Sequence, residues 1–252
     1  MSTLAQKREI IVVPDPETLA ETAAQRLIAH IAANPQRPAI CLTGGSTPQR
    51  LYELLAASPW RERIPWERVH WFMSDDRFVS YDDPLSNIGM ARKAFLDACA
   101  PTENIHTIPT DKKTPDEAAY LYEQELHIFH PSPLDEDSPL FDLVLMGVGP
   151  DGHTASLFPA FPALNEHGKW AIGVPRANVA PFVPRVSLTL PCLASTREML
   201  FLVSGRDKKD ILGRVLAGED LPATRARSEH GKTIWLIDKA AAPYEDKDAS
   251  AR

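Results

Sequence analysis

The stretch FDLVLMGVGPDGHTASLFP, residues 141–159, is an apolar run that breaks into glycines and then a single histidine. Residues 141–147 have the length and composition of a strand buried on both faces. The residues after that strand decide which kind of α/β protein this is. Gly147-Val148-Gly149-Pro150-Asp151-Gly152 fits the dinucleotide spacing G-x-G-x-x-G, and with His153 and Thr154 it nearly fits the P-loop. A dinucleotide fold then needs a helix of roughly ten or more residues to cross back over the sheet. Pro159 and Pro162 interrupt the chain too soon for that. A P-loop needs a lysine on the terminal phosphates, and histidine is no dependable cation at neutral pH. What remains is a tight glycine turn presenting Asp151 and His153 at the start of a short helix. The positive end of that helix would favour an uncharged imidazole able to act as a base.

Outward from this stretch, apolar runs alternate with helical patterns. EIIVV (9–13), AICLT (39–43), VHWFM (69–73), EMLFLVS (198–204) and TIWLID (233–238) read as buried strands, and IHTIP (105–109) as a short one. Helical spacing predicts helices over 15–34, 47–57, 86–99, 114–130 and 206–217. RVSLTL (185–190) alternates, as an antiparallel or edge strand does. The pattern predicts a Rossmann-like α/β fold: a mostly parallel sheet with helices on both faces, plus a few antiparallel strands. No repeat or linker divides the chain, so residues 1–242 are expected to form one domain and 243–252 a disordered tail. The proline-rich segment 168–185 reads as a flap, and 131–140 as a surface loop.

The 252 residues carry a formal net charge of −7, which argues against a general nucleic-acid or acidic-membrane binder. Cys41, Cys99 and Cys192 are sparse, widely spaced and odd in number, as in a reduced cytoplasmic protein, and no pair has metal-ligand spacing. The first residues lack a signal peptide's apolar core, and no stretch approaches a membrane span.

Ligands of open α/β sheets gather beyond the carboxyl ends of the strands. Four segments there hold the able side chains. In TGGSTP (43–48), Gly44 and Gly45 let the backbone approach a ligand, and Ser46 or Thr47 can cap a helix whose free N–H groups suit a phosphate. In SDDR (74–77), Asp75 or Asp76 can orient a hydroxyl or hold a proton, and Arg77 can stabilise an anion. The glycine turn supplies His153. The fourth segment, GRDKK (205–209), supplies Lys208; Lys208 and Arg185 each lie beside a predicted strand end, where cations can complete a phosphate pocket. Taken singly, each would pass for a surface turn or a surface charge.

In their order, LTGGSTPQRLYELLA, VHWFMSDDRFV with SNIGMAR, FDLVLMGVGPDGHTASLFP, PRVSLTLPCLASTREMLFLVSGRDKK and TIWLIDKAAA resemble the 6-phosphogluconolactonase family, over about residues 10–242. The GxGPDGHTASLFP block is specific to it, whereas GGSTP is shared with the wider sugar-phosphate isomerase superfamily. The resemblance implies hydrolysis of 6-phosphogluconolactone in the oxidative pentose phosphate pathway, with no metal or cofactor. It implies His153 as general base, Asp75 and Arg77 as the family's carboxylate and arginine, and Arg185 and Lys208 as phosphate ligands. The family pattern allows a monomer. Asp76 stands where the family has glutamate, which leaves the second carboxylate without an assigned role.

Two other readings compete. An amino-sugar phosphate deaminase or isomerase shares the fold, but its histidine block continues DGHIAFNEP, with a glutamate absent here. A non-catalytic sugar-phosphate sensor would carry a DNA-binding helix pair, and this chain begins directly with a strand.

Overall fold

The computed structural model of the chain describes residues 8–134 and 138–243. Of the expected tail only Pro243 falls among them; the rest lies outside the described residues.

The chain enters at β1 (Glu9–Val13) and crosses through α1 (Pro16–Ala33), whose first turn is closed by Asp15 accepting from Thr18 N at 2.8 Å. It returns as β2 (Ala39–Leu42), crosses again through α2 (Ser46–Ala56), and runs into β3 (His70–Met73) and the short β4 (Asp75–Arg77). The next helix starts as α3 (Asn87–Ala91), passes through a π turn at Arg92–Leu96 and ends as α4 (Asp97–Cys99). Then come α5 (Pro115–Phe129), β5 (Leu143–Met146), β6 (Ala171–Val174), β7 (Arg185–Leu188) and α6 (Leu190–Ala194). The chain closes with β8 (Glu198–Val203), α7 (Lys209–Leu216), α8 (Pro222–Arg225) and β9 (Lys232–Asp238).

Six strands form one parallel sheet in the order β1-β9-β8-β5-β2-β3, flanked by helices. Its interior strands read as unbroken apolar runs because both faces are covered; every residue of β2, β5 and β8 is buried. Trp235 lies flat on Phe201, with centroids 3.9 Å apart, inside one contiguous core. The chain steps outward from β2 to β3, then returns past β2 to β5 and continues the other way through β8 and β9. The order therefore reverses between β2 and β5, and the loops that leave their carboxyl ends open a crevice there. The second sheet, β4-β7-β6, is antiparallel, as the alternation of 185–190 predicts, and stands beside this crevice.

Several expectations need correction. Residues 105–109 form no strand; Ile105 makes a single bridge to Trp71. Segment 168–185 is not all flap: β6 lies within it, paired along its length with β7, and the irregular parts are 168–170 and the connection 175–184. No helix follows His153. Residues 153–158 form a non-helical loop, with a bridge from Thr154 to Leu157 around a turn and Ala155 at φ 47°, and the first helical turn beyond them is a 3₁₀ turn at Pro162–Asn165. The helix dipole invoked for His153 is therefore absent.

Candidate active site

A cavity of about 240 Å³ opens at the crevice. Gly44, Gly45, Ser46 and Thr47 line it from the loop after β2, and Asp75 and Arg77 from β4. His153 lines it from the turn after β5, Arg185 from the start of β7, and Lys208 from the turn after β8. Segments scattered over 165 positions of sequence thus meet because the strands that carry them are neighbours.

The glycine turn is built around the imidazole. Gly149 N donates to His153 O at 2.8 Å, and Gly152 N to Gly149 O at 3.0 Å. A Cβ on residue 149 would stand 1.9 Å from His153 Cε1, so glycine is what lets the ring fold back over the turn. Gly152 has φ +85°, a backbone shape that side chains resist. One ring face packs on Phe158, at 4.7 Å between centroids. His153 Nδ1 lies 2.5 Å from Asp151 Oδ1, which also accepts from His153 N at 3.2 Å. Burial raises the Asp151 carboxyl, but the bond and charge of His153 outweigh it and leave the group below its ordinary range. An ionised Asp151 can only accept, so the ring proton sits on Nδ1. In the neutral ring Nε2 then carries the lone pair, and it has no hydrogen-bond partner among the described residues. The side chain is 18 % exposed, enough for a water or a substrate atom to reach it.

The three residues of β4 divide their work by strand alternation. Asp76 points away from the cavity and accepts from Arg77 N at 2.7 Å, Asn87 N at 2.7 Å and Ile88 N at 3.0 Å. It thus closes the start of α3, and burial pushes its carboxyl up to about 6 despite these bonds. Asp75 faces the cavity. Its Oδ2 accepts from Ser156 Oγ at 2.6 Å, tying β4 to the histidine turn, and Oδ1 lies 3.3 Å from Ser74 Oγ. Arg77 also faces the cavity and donates through Nη1 to Leu85 O at 2.8 Å and Asn87 Oδ1 at 2.6 Å.

Across the small sheet Arg77 stands directly opposite Arg185. Arg185 is 4 % exposed and donates to Val183 O at 3.3 Å and Pro181 O at 2.8 Å. Burial lowers its pKa; Asp75 and Asp76 pull it up, and Arg77 pulls it further down. Two guanidiniums side by side in a half-buried wall favour an anion between them. Lys208 Nζ donates to Val148 O at 3.1 Å, and among the described residues its one carboxylate neighbour, the exposed Asp207, is 3.9 Å away. Its turn is fastened by buried Asp238, which accepts from Ser204 Oγ at 2.5 Å and from Gly205 N. At the start of α2 the capping position falls on Gly45, at φ 100°, without a side-chain cap. Ser46 and Thr47 belong to the first helical turn instead of capping it, a correction to the sequence reading. The amides of that turn are left without a side-chain cap beside the cavity, where an anion can accept from them.

A family described as glucosamine-6-phosphate isomerases/6-phosphogluconolactonase matches residues 14–235. The 6-phosphogluconolactonase of Synechocystis sp. is 43% identical over 206 residues, covering 80% of this chain and 82% of that protein. The 6-phosphogluconolactonase of Nostoc sp. is 38% identical over 243 residues, covering 93% and 97%. The crystal structure of 6-phosphogluconolactonase from Thermotoga maritima superimposes with a TM-score of 0.80 at 29% identity, covering 92% of this chain and all of that one. The chain belongs to the glucosamine-6-phosphate isomerase/6-phosphogluconolactonase family.

Within this family framework, three further residues shape the site that sequence reading did not single out by role. Asp151 orients the histidine, and its position two residues upstream is the only signal the sequence gives. Ser156 is tied to Asp75 across 81 residues, and Asn87 to Arg77 across 10. Both are small polar residues whose partners are set by the meeting of β4 with other loops, which no local pattern reveals.

Proposed function

We propose that this protein hydrolyses 6-phospho-D-glucono-1,5-lactone to 6-phospho-D-gluconate, the lactone step of the oxidative pentose phosphate pathway, as a cytoplasmic enzyme without metal or cofactor. One observation carries the reading: an imidazole with its Nδ1 committed to a carboxylate shares a cavity with three cations whose hydrogen bonds among the described residues go to neutral oxygens. A δ-lactone is an activated ester, so its hydrolysis needs an aimed water, a base and stabilisation of an oxyanion. His153 Nε2 takes a proton as water attacks C1. Asp151 holds the ring and offsets the positive charge that develops on it. Arg77 or the nearby backbone amides stabilise the tetrahedral oxyanion. The ring oxygen then leaves, taking back the proton from His153. Arg185, Lys208 and the amides of 44–47 hold the phosphate, and Asp75 orients a sugar hydroxyl or the water.

The deaminase reading fares less well. The glutamate that continues the deaminase histidine block is absent from HTASLFP, and among the described residues lining the cavity Asp75 is the one carboxylate. The test is a pH-stat assay on freshly made 6-phosphogluconolactone, corrected for spontaneous hydrolysis, beside an ammonia assay on glucosamine 6-phosphate. Lactone turnover without ammonia release is expected; the reverse would replace the reading. The partner implied is the small phosphosugar lactone, bound by a monomer, with no nucleic acid or membrane.

A further inference from the structure

We propose that Asn87 is a positioning residue that holds Asp75 and Arg77 apart, keeping a carboxylate and a guanidinium on one strand face from neutralising each other. The kinetic part of this inference rests on the lactonase reading, and the structural part on geometry alone.

Asp75 and Arg77 are two residues apart in β4 and both line the cavity. Alternation puts them on the same face, at a separation of roughly 6–7 Å that an arginine side chain spans easily. In a half-buried site opposite charges attract more strongly than in water. Left to themselves, the two would close into an ion pair, and neither would then be free for substrate. Among the described residues no hydrogen bond or ion pair joins them. Arg77 Nη1 instead reaches Leu85 O and, at 2.6 Å, Asn87 Oδ1. Asn87 Nδ2 donates to Asp75 O at 3.1 Å and lies 3.5 Å from Asp75 Oδ1.

The main chain of Asn87 is held as firmly as its amide. Its N–H donates to Asp76 Oδ1 at 2.7 Å. Each of the three residues of β4 therefore makes a bond to Asn87, which is 2 % exposed. On the far side the amide abuts Gly44, where a Cβ would stand 1.9 Å from Asn87 Oδ1. The absence of a side chain at 44 is what admits the amide between the loop after β2 and the strand. An amide suits this place because it offers an acceptor to a cation and a donor to an oxygen from one short stem. Aspartate has no donor for Asp75, and alanine has neither group. At such burial, water does not readily replace the lost bonds.

The test joins crystal structures to a double-mutant cycle. In Asn87→Ala, Arg77 and Asp75 are expected within ion-pair distance. The kcat for 6-phosphogluconolactone is expected to fall ~10–100-fold, with KM changed much less. In an Arg77→Met background the same Asn87→Ala change should cost under ~3-fold, because the group it positions is gone. An Arg77 that stays off Asp75 in the variant structure would overturn the proposal. So would an equal loss of kcat in both backgrounds, which is what a purely structural role predicts. Should Asn87→Ala fail to fold, the isosteric Asn87→Asp serves. It keeps the acceptor for Arg77 but sets a carboxylate against Asp75, so its loss should shrink in an Asp75→Asn background; additive losses would overturn the inference. A wild-type protein without lactone turnover would remove the lactonase reading, while the Arg77–Asp75 distance in the variant would still decide the role of Asn87.

Discussion

The two ends of the parallel sheet are both rich in buried charge, and they treat it in opposite ways. At the amino ends of the strands cations meet carboxylates. Arg26 grips Glu198 through two bonds of 2.7 Å, with His30 3.1 Å from the same carboxylate. Arg197 lies 3.2 Å from Asp142. At the carboxyl ends the cations lean on neutral oxygens. Arg77 rests on Leu85 O and the Asn87 amide, Arg185 on Pro181 and Val183 carbonyls, and Lys208 on the Val148 carbonyl. A carbonyl fixes a guanidinium or ammonium in place without cancelling its charge, so an arriving anion still finds a full cation. The Arg26–Glu198 pair clips α1 to the sheet, while Arg77, Arg185 and Lys208 line the cavity with their charge held by neutral oxygens. The partner's formal charge, more than the burial of the cation, separates scaffold from site.

This contrast can be broken at several points. The largest effect is expected at the rim: His153→Ala should lower kcat ~10²–10⁴-fold, the usual worth of a general base, with KM nearly unchanged. Near-normal turnover would remove His153 as the base. Arg185→Ala and Lys208→Ala should each raise KM for the phosphorylated lactone ~10–100-fold while kcat moves less, read by steady-state kinetics. Asp151→Asn should cost ~10-fold or more in kcat, because an amide can donate to Nδ1 and turn the wrong nitrogen toward the cavity. Its pH–rate profile should differ from wild type; an unchanged profile would make the contact incidental.

At the other end of the sheet the readout is stability. Burial raises the Glu198 carboxyl, but His30 and Arg26 outweigh it and hold it at about 2. The folded value lies below the ordinary 4.5, so the unfolded chain binds the proton first as pH falls. The contribution is present above about pH 4.5 and is lost as pH falls from there toward 2. Wild type should exceed Glu198→Gln by ~1–3 kcal/mol near neutrality in urea unfolding, with the gap closing through that window. A gap independent of pH would mean the clip does not act through its charge. Lactone turnover should stay close to wild type throughout the neutral range, since Glu198 is at the far end of β8 from Lys208.

Much of the rim was legible in the sequence because the carboxyl end of each parallel strand marks its own loop. AICL, LVLM and EMLFLV announce buried strands, and the loop after each could be read as site: 43–48, the histidine turn, and 205–208. Each residue nominated in this way lines the one cavity. The small sheet was harder. Asp75-Asp76-Arg77 has no strand character of its own; it is a strand because β7 pairs with it, Arg77 against Arg185. Ala171–Val174 is short and lies among prolines, so a strand passed for part of a flap. The turn after His153 read as a helix because HTASLF carries no breaker until Pro159, yet Ala155 at φ 47° and the Ser156 bond to Asp75 pull it out of helical shape. Asn87 and Ser156 gain their roles only from elements that arrive from elsewhere in the chain.

The most direct test of the open-cation account compares kcat/KM for 6-phosphogluconolactone with that for unphosphorylated gluconolactone, in wild type and in Arg185→Ala. The account predicts a preference for the phosphorylated lactone of ~100-fold or more in wild type, collapsing toward ~1–10-fold in the variant. Equal efficiency on both lactones in the wild-type protein would contradict it.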